Sequence, residues 1–194
     1  MIDKNDITGI ILAGGKSKRM GTDKGLVILN NKPFIEHIIS VLEALVSNII
    51  IVSDSKNYDS FGLNRIDDEI KDAGPLAGVY SGLKTSKNTY NLVLSCDIPL
   101  INKILLKQLI CNNEADVDII QVESQGQSMP LIALYKKQCE PIFYKLLSTG
   151  ERRLRFAVNS CKVKTILLDA SSAIFTTNIN SPEQLKQISN DNNR

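Results

Sequence analysis

Residues 7–25 read ITGIILAGGKSKRMGTDKG. The stretch opens with an apolar, β-branched run at 7–12 that shows no polar alternation, as in a strand covered on both faces. It passes directly into two glycine-rich turns that enclose Lys16, Lys18 and Arg19, with Lys24 just beyond. A buried strand ending in glycines and cations predicts an anion site at the strand's C-terminal end. Gly14, Gly15 and Gly21 lack a Cβ and let backbone amides face a ligand, while the cations gather positive charge around it. Two common phosphate motifs are excluded by spacing. Gly15-Lys16-Ser17 imitates the end of a P-loop, which needs a glycine where this chain has Ile10, and no G-x-G-x-x-G occurs here.

Further runs at 48–53, 90–95, 117–122, 130–135 and 163–168 also read as strands, the first two lacking polar alternation as 7–12 does. Between them lie helical periodicities: Phe34, Ile35, Ile38, Ile39, Leu42, Leu45 and Val46 form one stripe, and Leu105, Leu106 and Leu109 another. Alternating strands and helices predict a three-layer α/β fold with a mostly parallel central sheet and ligands at the strand C-termini. The 194 residues suit one domain over 1–188, with the polar stretch 189–194 as a disordered tail.

The formal charge of +2, five Phe, five Tyr and no Trp argue against a nucleic-acid partner. Cys96, Cys111, Cys139 and Cys161 form no C-x-x-C pair and sit in apolar surroundings, which reads as buried free thiols in a reducing compartment. The N-terminus lacks a signal-peptide pattern and no apolar run reaches the roughly 18 residues of a membrane span. These features predict a cytoplasmic protein without membrane contact.

Several residues carry chemistry with more than one reading. Asp97 follows the apolar strand and precedes Ile98-Pro99, which halts the strand and leaves the carboxylate at its end. It suits either a cap for a helix beginning near Asn102 or a ligand for Mg²⁺, which takes one or two carboxylates together with substrate phosphates. The segment DAGPLAGVYSGL at 72–83 opens a helix whose first amides suit a phosphate or base carbonyl, although packing alone also explains Gly78. Asn178 and Asn180 alternate along extended chain and share a face, where two amides match a polar heterocycle. The same N-x-N before Ser181-Pro182 also reads as a helix entry with Ser181 as N-cap. Arg152, Arg153 and Arg155 either serve an acceptor phosphate or form the wet face of a helix. The one histidine, His37, lies in the first apolar stripe and reads as structural, leaving no histidine base for a site.

The stretch LAGGKSKRMGTDKG at 12–25 resembles the L-A-G-G-x-S-x-R-M-G-x-D-K pattern of nucleotidyltransferases that join a nucleoside monophosphate to a phosphorylated acceptor. More narrowly, it resembles that of the molybdenum cofactor guanylyltransferase family. The resemblance continues in the family's order through GPLAG at 74–78, CDIP at 96–99, GERR at 150–153 and NINSPEQL at 178–185. It implies a Rossmann-like nucleotidyltransferase fold. It also implies transfer of GMP from GTP to the terminal phosphate of molybdopterin or its molybdenum-loaded form, with Mg²⁺ as cofactor and pyrophosphate released. Other molybdenum cofactor assembly proteins are implied as partners.

On the same resemblance, Leu12, Ala13, Gly14, Gly15, Lys24, Ser53, Asp68 and Asp97 surround the nucleotide, and Asp97 holds the metal. Arg19, Lys24 and Asp97 carry the catalysis, and Asn178 and Asn180 meet the acceptor. Asp67 adjoins Asp68, and either carboxylate has the chemistry to accept from the guanine N1–H and N2 amine. Ser53 stands where the family often has Asn, and Met129-Pro130 where it commonly has His-Pro. Alternatives are a cytidylyltransferase acting on the same pterin, a sugar-1-phosphate nucleotidyltransferase, and a non-catalytic nucleotide- or pterin-binding carrier. GPLAG and the N-x-N favour guanylyl transfer, and Arg19, Lys24 and Asp97 together argue against the carrier.

Overall fold

The structure is a computed structural model that describes residues 2–14 and 23–191. Its elements, in chain order, are β1 (Ile7–Leu12), β2 (Ile28–Leu29), β3 (Lys32–Pro33), α1 (Phe34–Leu42), β4 (Asn48–Val52), β5 (Asn64–Ile66), α2 (Gly74–Thr85) and β6 (Tyr90–Ser95). There follow α3 (Lys103–Cys111), β7 (Ile119–Ser124), β8 (Gln127–Lys136), α4 (Cys139–Ser148), α5 (Leu154–Asn159), β9 (Val163–Leu167) and α6 (Pro182–Asp191).

Seven strands form one sheet in the order β5-β4-β1-β6-β8-β7-β9. β1 runs parallel to β4 on one side and to β6 on the other. Its unbroken apolar sequence has a direct cause, because helices cover both faces of the sheet. Ile11 packs with Ile35, Ile38 and Leu42 of α1 and the α3 leucines. Ile10 packs on the opposite face with Leu76 and Val79 of α2 and Phe143 of α4. Gly82 lets α2 lie close on β1, since a Cβ there would come within 2.5 Å of Ile10 Cγ2. The close fit brings the start of α2 to the C-terminal ends of the central strands.

The strand pattern departs from expectation on one side of the sheet. β8 runs antiparallel to both β6 and β7 and begins at Gln127 rather than 130. Gln125 and Gly126, both with positive φ (52° and 74°), turn β7 back into β8 as a tight hairpin. β5 is a three-residue edge strand with a polar residue at its centre, too short to show a period.

Caps set the helix starts. Asn102 Oδ1 accepts from Leu105 N (2.9 Å) at α3, and Ser181 Oγ accepts from Gln184 N (3.3 Å) at α6. α6 runs to Asp191, three residues into the polar stretch that composition assigns to the tail. Among the described residues no helix is long and apolar enough to cross a membrane.

Candidate active site

Beyond the end of β6, Cys96 N donates to Leu12 O (3.0 Å), which carries the β1–β6 ladder one step further and fixes the next residue, Asp97, beside the end of β1. Asp97 is 8% exposed. Its Oδ1 accepts from Ser95 Oγ (2.6 Å) and its Oδ2 from Lys24 Nζ (3.0 Å). Lys24 Nζ also donates to Asn180 Oδ1 at 2.5 Å. Asn180 is held in place from behind: Ile179 N donates to Asp97 O (2.9 Å), and the Ile179 side chain is fully buried. Asn178 and Asn180 therefore flank a buried residue, Asn180 meeting Lys24 and Asn178 lining a cavity beside Asp97.

The capping role for Asp97 is taken by another residue. Asn102 caps α3, and the Asp97 carboxylate spends its hydrogen bonds on a serine and a lysine instead. A carboxylate this nearly buried is costly unless such partners meet it.

On the far side of β1, Asp67 and Asp68 point in opposite directions. Asp67 lies outward on Arg65 Nη1 (2.5 Å) and Lys71 Nζ (3.7 Å), and the Arg65 guanidinium holds it below the usual carboxylate range. Asp68 turns inward to where Gly78 and Leu12 meet; a Cβ on Gly78 would stand 3.4 Å from Asp68 Oδ1. That oxygen is buried and accepts no hydrogen bond from the described residues. Burial, and then the neighbouring Asp54 charge, push the Asp68 carboxyl up to about 6. Ser53 is 3% exposed and supports this loop: its hydroxyl accepts from Ser55 N (3.2 Å) and its carbonyl from Arg65 Nη1 (2.7 Å).

A cavity of about 530 Å³ opens beside Asp97 and Asn178. Its walls come from Pro75 at the start of α2, from Gln127, Ser128 and Met129 on the β7–β8 hairpin, and from Leu154 and Arg155 of α5. The three arginines separate here. Arg152 turns away to Leu147 O and Glu151 O (2.9 Å each). Arg153 lines the cavity but is clamped by Glu151 (2.6 and 2.9 Å) and lies over the Phe156 ring. Arg155 lines the cavity with a single 3.2 Å bond to Ser128 O and no carboxylate among the described residues. Met129 presents a thioether to the same wall and cannot donate a hydrogen bond.

Leu12, Ala13 and Gly14 lie at the end of β1, next to Asp97 and Asp68, with Ala13 N bonded to Val52 O (2.9 Å). Gly15 and Arg19, with Lys16, Lys18 and Gly21, lie outside the described residues. His37 is a tie between elements, its Nε2 2.9 Å from Leu29 O. Cys96 and Cys139 are buried and Cys161 half-buried, but Cys111 is exposed at the end of α3, beside Ile110, which is buried in the core. Sequence reasoning passed over Ser95, which it read only as the end of a strand; a hydroxyl two residues before a strand-end carboxylate was the available signal.

A carboxylate, an ammonium and a carboxamide thus meet at the strand ends of an open α/β sheet, between the buried Asp68 oxygen and the cavity. Residues 9–164 match the model of the MobA-like NTP transferase domain, and the chain belongs to that family. It is 37% identical over 182 residues to a protein of Flavobacterium johnsoniae named as a probable molybdenum cofactor guanylyltransferase, covering 94% of this chain and 96% of that one. It is 32% identical over 191 residues to the molybdenum cofactor guanylyltransferase of Vibrio campbellii, covering 96% and 97%. In fold it is similar to the crystal structure of molybdopterin-guanine dinucleotide biosynthesis protein A from Archaeoglobus fulgidus, with a TM-score of 0.81 at 20% identity over 96% of this chain and 98% of that one.

Proposed function

We propose that this nucleotidyltransferase moves GMP from GTP to the terminal phosphate of molybdopterin, or of its molybdenum-loaded form, releasing pyrophosphate and forming the guanine dinucleotide cofactor. One contact carries the reading. Lys24 Nζ joins Asp97 to Asn180, so the nucleotide-side cation, the strand-end carboxylate and the acceptor-side amide meet at one point.

The attacking acceptor phosphate is already an anion and needs no strong base, which agrees with a site built without histidine. Catalysis then rests on in-line positioning and on charge stabilisation. The Lys24 ammonium leaves its ligand-free partners for the phosphates and balances charge that builds on the α-phosphate and the leaving group. Leu12 and Ala13, the latter tied through its amide to Val52 O, set the strand end beside the nucleotide, and the Gly14 and Gly15 amides and the Arg19 guanidinium take the remaining triphosphate oxygens. Asp68 accepts from the guanine N1–H and N2 amine, Ser53 and Asp54 shape the loop beside it, and Asn178 and Asn180 meet the edge of the pterin.

The donor set suits Mg²⁺. Asp97 and the Ser95 hydroxyl are hard oxygens, and among the described residues no three of His, Cys, Asp and Glu form a cage, so a cation here shares its shell with substrate phosphates. Asp97 would hold Mg²⁺, which when bound supplies Lewis-acid charge at the phosphates. The free thiols suit a cytoplasmic setting.

Asp97→Asn tests the assignment. It keeps the shape and removes the charge, so guanylyl transfer should fall at least about a hundredfold while the melting temperature is retained. A near wild-type rate at ordinary Mg²⁺ would remove Asp97 from the chemistry.

A further inference from the structure

Tyr58 is fully buried, in the 3₁₀ segment Lys56–Phe61 between β4 and β5. Its packing is what a phenylalanine would also supply: the ring lies in the core formed with α1 and α3, and meets Phe61 at 6.1 Å between centroids. The hydroxyl is therefore the part of the residue that packing leaves unexplained, since a buried hydroxyl is costly unless it is bonded.

That hydroxyl donates to Asp23 Oδ1. The same oxygen accepts from Gly25 N (3.3 Å) and so caps the short 3₁₀ turn Lys24–Leu26. Gly25 rests directly on the phenol: a Cβ there would lie 2.5 Å from the Tyr58 oxygen and 3.0 Å from Cε1. Lys24 is thus the single residue between two that are both held by Tyr58, one by a hydrogen bond and one by contact. From this fixed turn its Nζ reaches Asp97 and Asn180. Burial and the Asp23 carboxylate push the phenol up, which keeps the hydroxyl a neutral donor.

A lysine has four rotatable side-chain bonds, and the entropy lost in aiming its ammonium is smaller when its backbone is already set. We propose that Tyr58 is a positioning residue for the nucleotide chemistry: its hydroxyl, acting through Asp23 and Gly25, sets the turn that aims Lys24 at the Asp97–Asn180 pair. The geometry of this latch stands on its own contacts, and what it serves rests on the function proposed for Lys24.

A double-mutant cycle tests the idea with Tyr58→Phe, Lys24→Ala and the combined variant. The readouts are GTP affinity by calorimetry, kcat and KM for guanylyl transfer, and the melting temperature. Tyr58→Phe should lower kcat/KM about tenfold, the worth of one well-placed hydrogen bond. In the Lys24→Ala background the same change should alter kcat/KM and GTP affinity less than twofold, because the residue it aims is gone. Asp23→Ala should reproduce the loss and add nothing to Tyr58→Phe. Equal losses in both backgrounds, or no loss in Tyr58→Phe, would overturn the latch and leave Tyr58 a core residue. If the wild type binds GTP but transfers nothing to molybdopterin, the proposed reaction fails while the cycle is still read on GTP affinity, so the two failures separate.

Discussion

Asp68→Asn should make the ligand-free protein more stable and less able to choose its nucleotide. Asp68 is held near 6 against an ordinary value of 3.8, first by burial and then by the Asp54 charge, with Lys71 opposing. A carboxyl raised in the folded state binds its proton more tightly there than when unfolded. Its ionisation therefore costs stability above about pH 6, and the cost is relieved as pH falls from 6 toward 4. A shift of this size corresponds to about 3 kcal/mol, and solvent screening at a half-buried position reduces it to about 1–2 kcal/mol. An isosteric amide removes that cost, so the variant should gain about 1–2 kcal/mol at pH 8 and progressively less as pH falls through 6. The same change places an N–H against the guanine donors. GTP binding should weaken by about 1–3 kcal/mol while CTP changes little. Wild-type GTP affinity should itself decline below about pH 6, as the carboxylate protonates. Thermal melts at pH 8 and pH 5, with calorimetric titrations of GTP and CTP, check each part. A lower melting temperature for Asp68→Asn at pH 8, or an unchanged GTP to CTP ratio, would refute the reasoning.

Two further outcomes follow from the contacts. Lys24→Ala removes the ammonium that Asp97 and Asn180 share and should weaken GTP binding by about 2–3 kcal/mol in nucleotide titrations; a change under twofold would place the triphosphate elsewhere. Gly82→Ala drives a methyl group to within 2.5 Å of Ile10 and should lower the unfolding free energy in urea by about 1–3 kcal/mol, and an unaltered midpoint would deny the close approach of α2 to β1.

The parts of the fold that could be read from sequence are those where burial leaves a long, one-sided pattern. β1 and β6 begin and end where their apolar runs do, because helices cover both their faces. β8 is longer than its apolar run at 130–135, since its first residues Gln127–Met129 are polar or half-buried, and its antiparallel direction follows from a turn of only two residues. Lys24, Asp97 and Asn180 were each visible as motif residues, but their meeting was not, as Asn180 lies 156 positions from Lys24 and only the sheet brings them together. The choice between Asp67 and Asp68 also needed three dimensions. Arg65 captures Asp67, and nothing in a run of two aspartates reveals which one faces inward. Tyr58 gave no signal at all, because a lone tyrosine between two strands reads as ordinary core.

The central claim, guanylyl transfer at the Lys24–Asp97–Asn180 junction, is tested most directly by supplying purified protein with molybdopterin, Mg²⁺ and either GTP or CTP, and following pyrophosphate release together with the dinucleotide product. The account predicts pyrophosphate and molybdopterin guanine dinucleotide in equal amounts with GTP, and a kcat/KM for CTP lower by about a hundredfold, the worth of a buried Asp68 carboxylate left without the two donors that guanine supplies. Equal or faster turnover with CTP, or GTP consumed without any pterin dinucleotide, would contradict it.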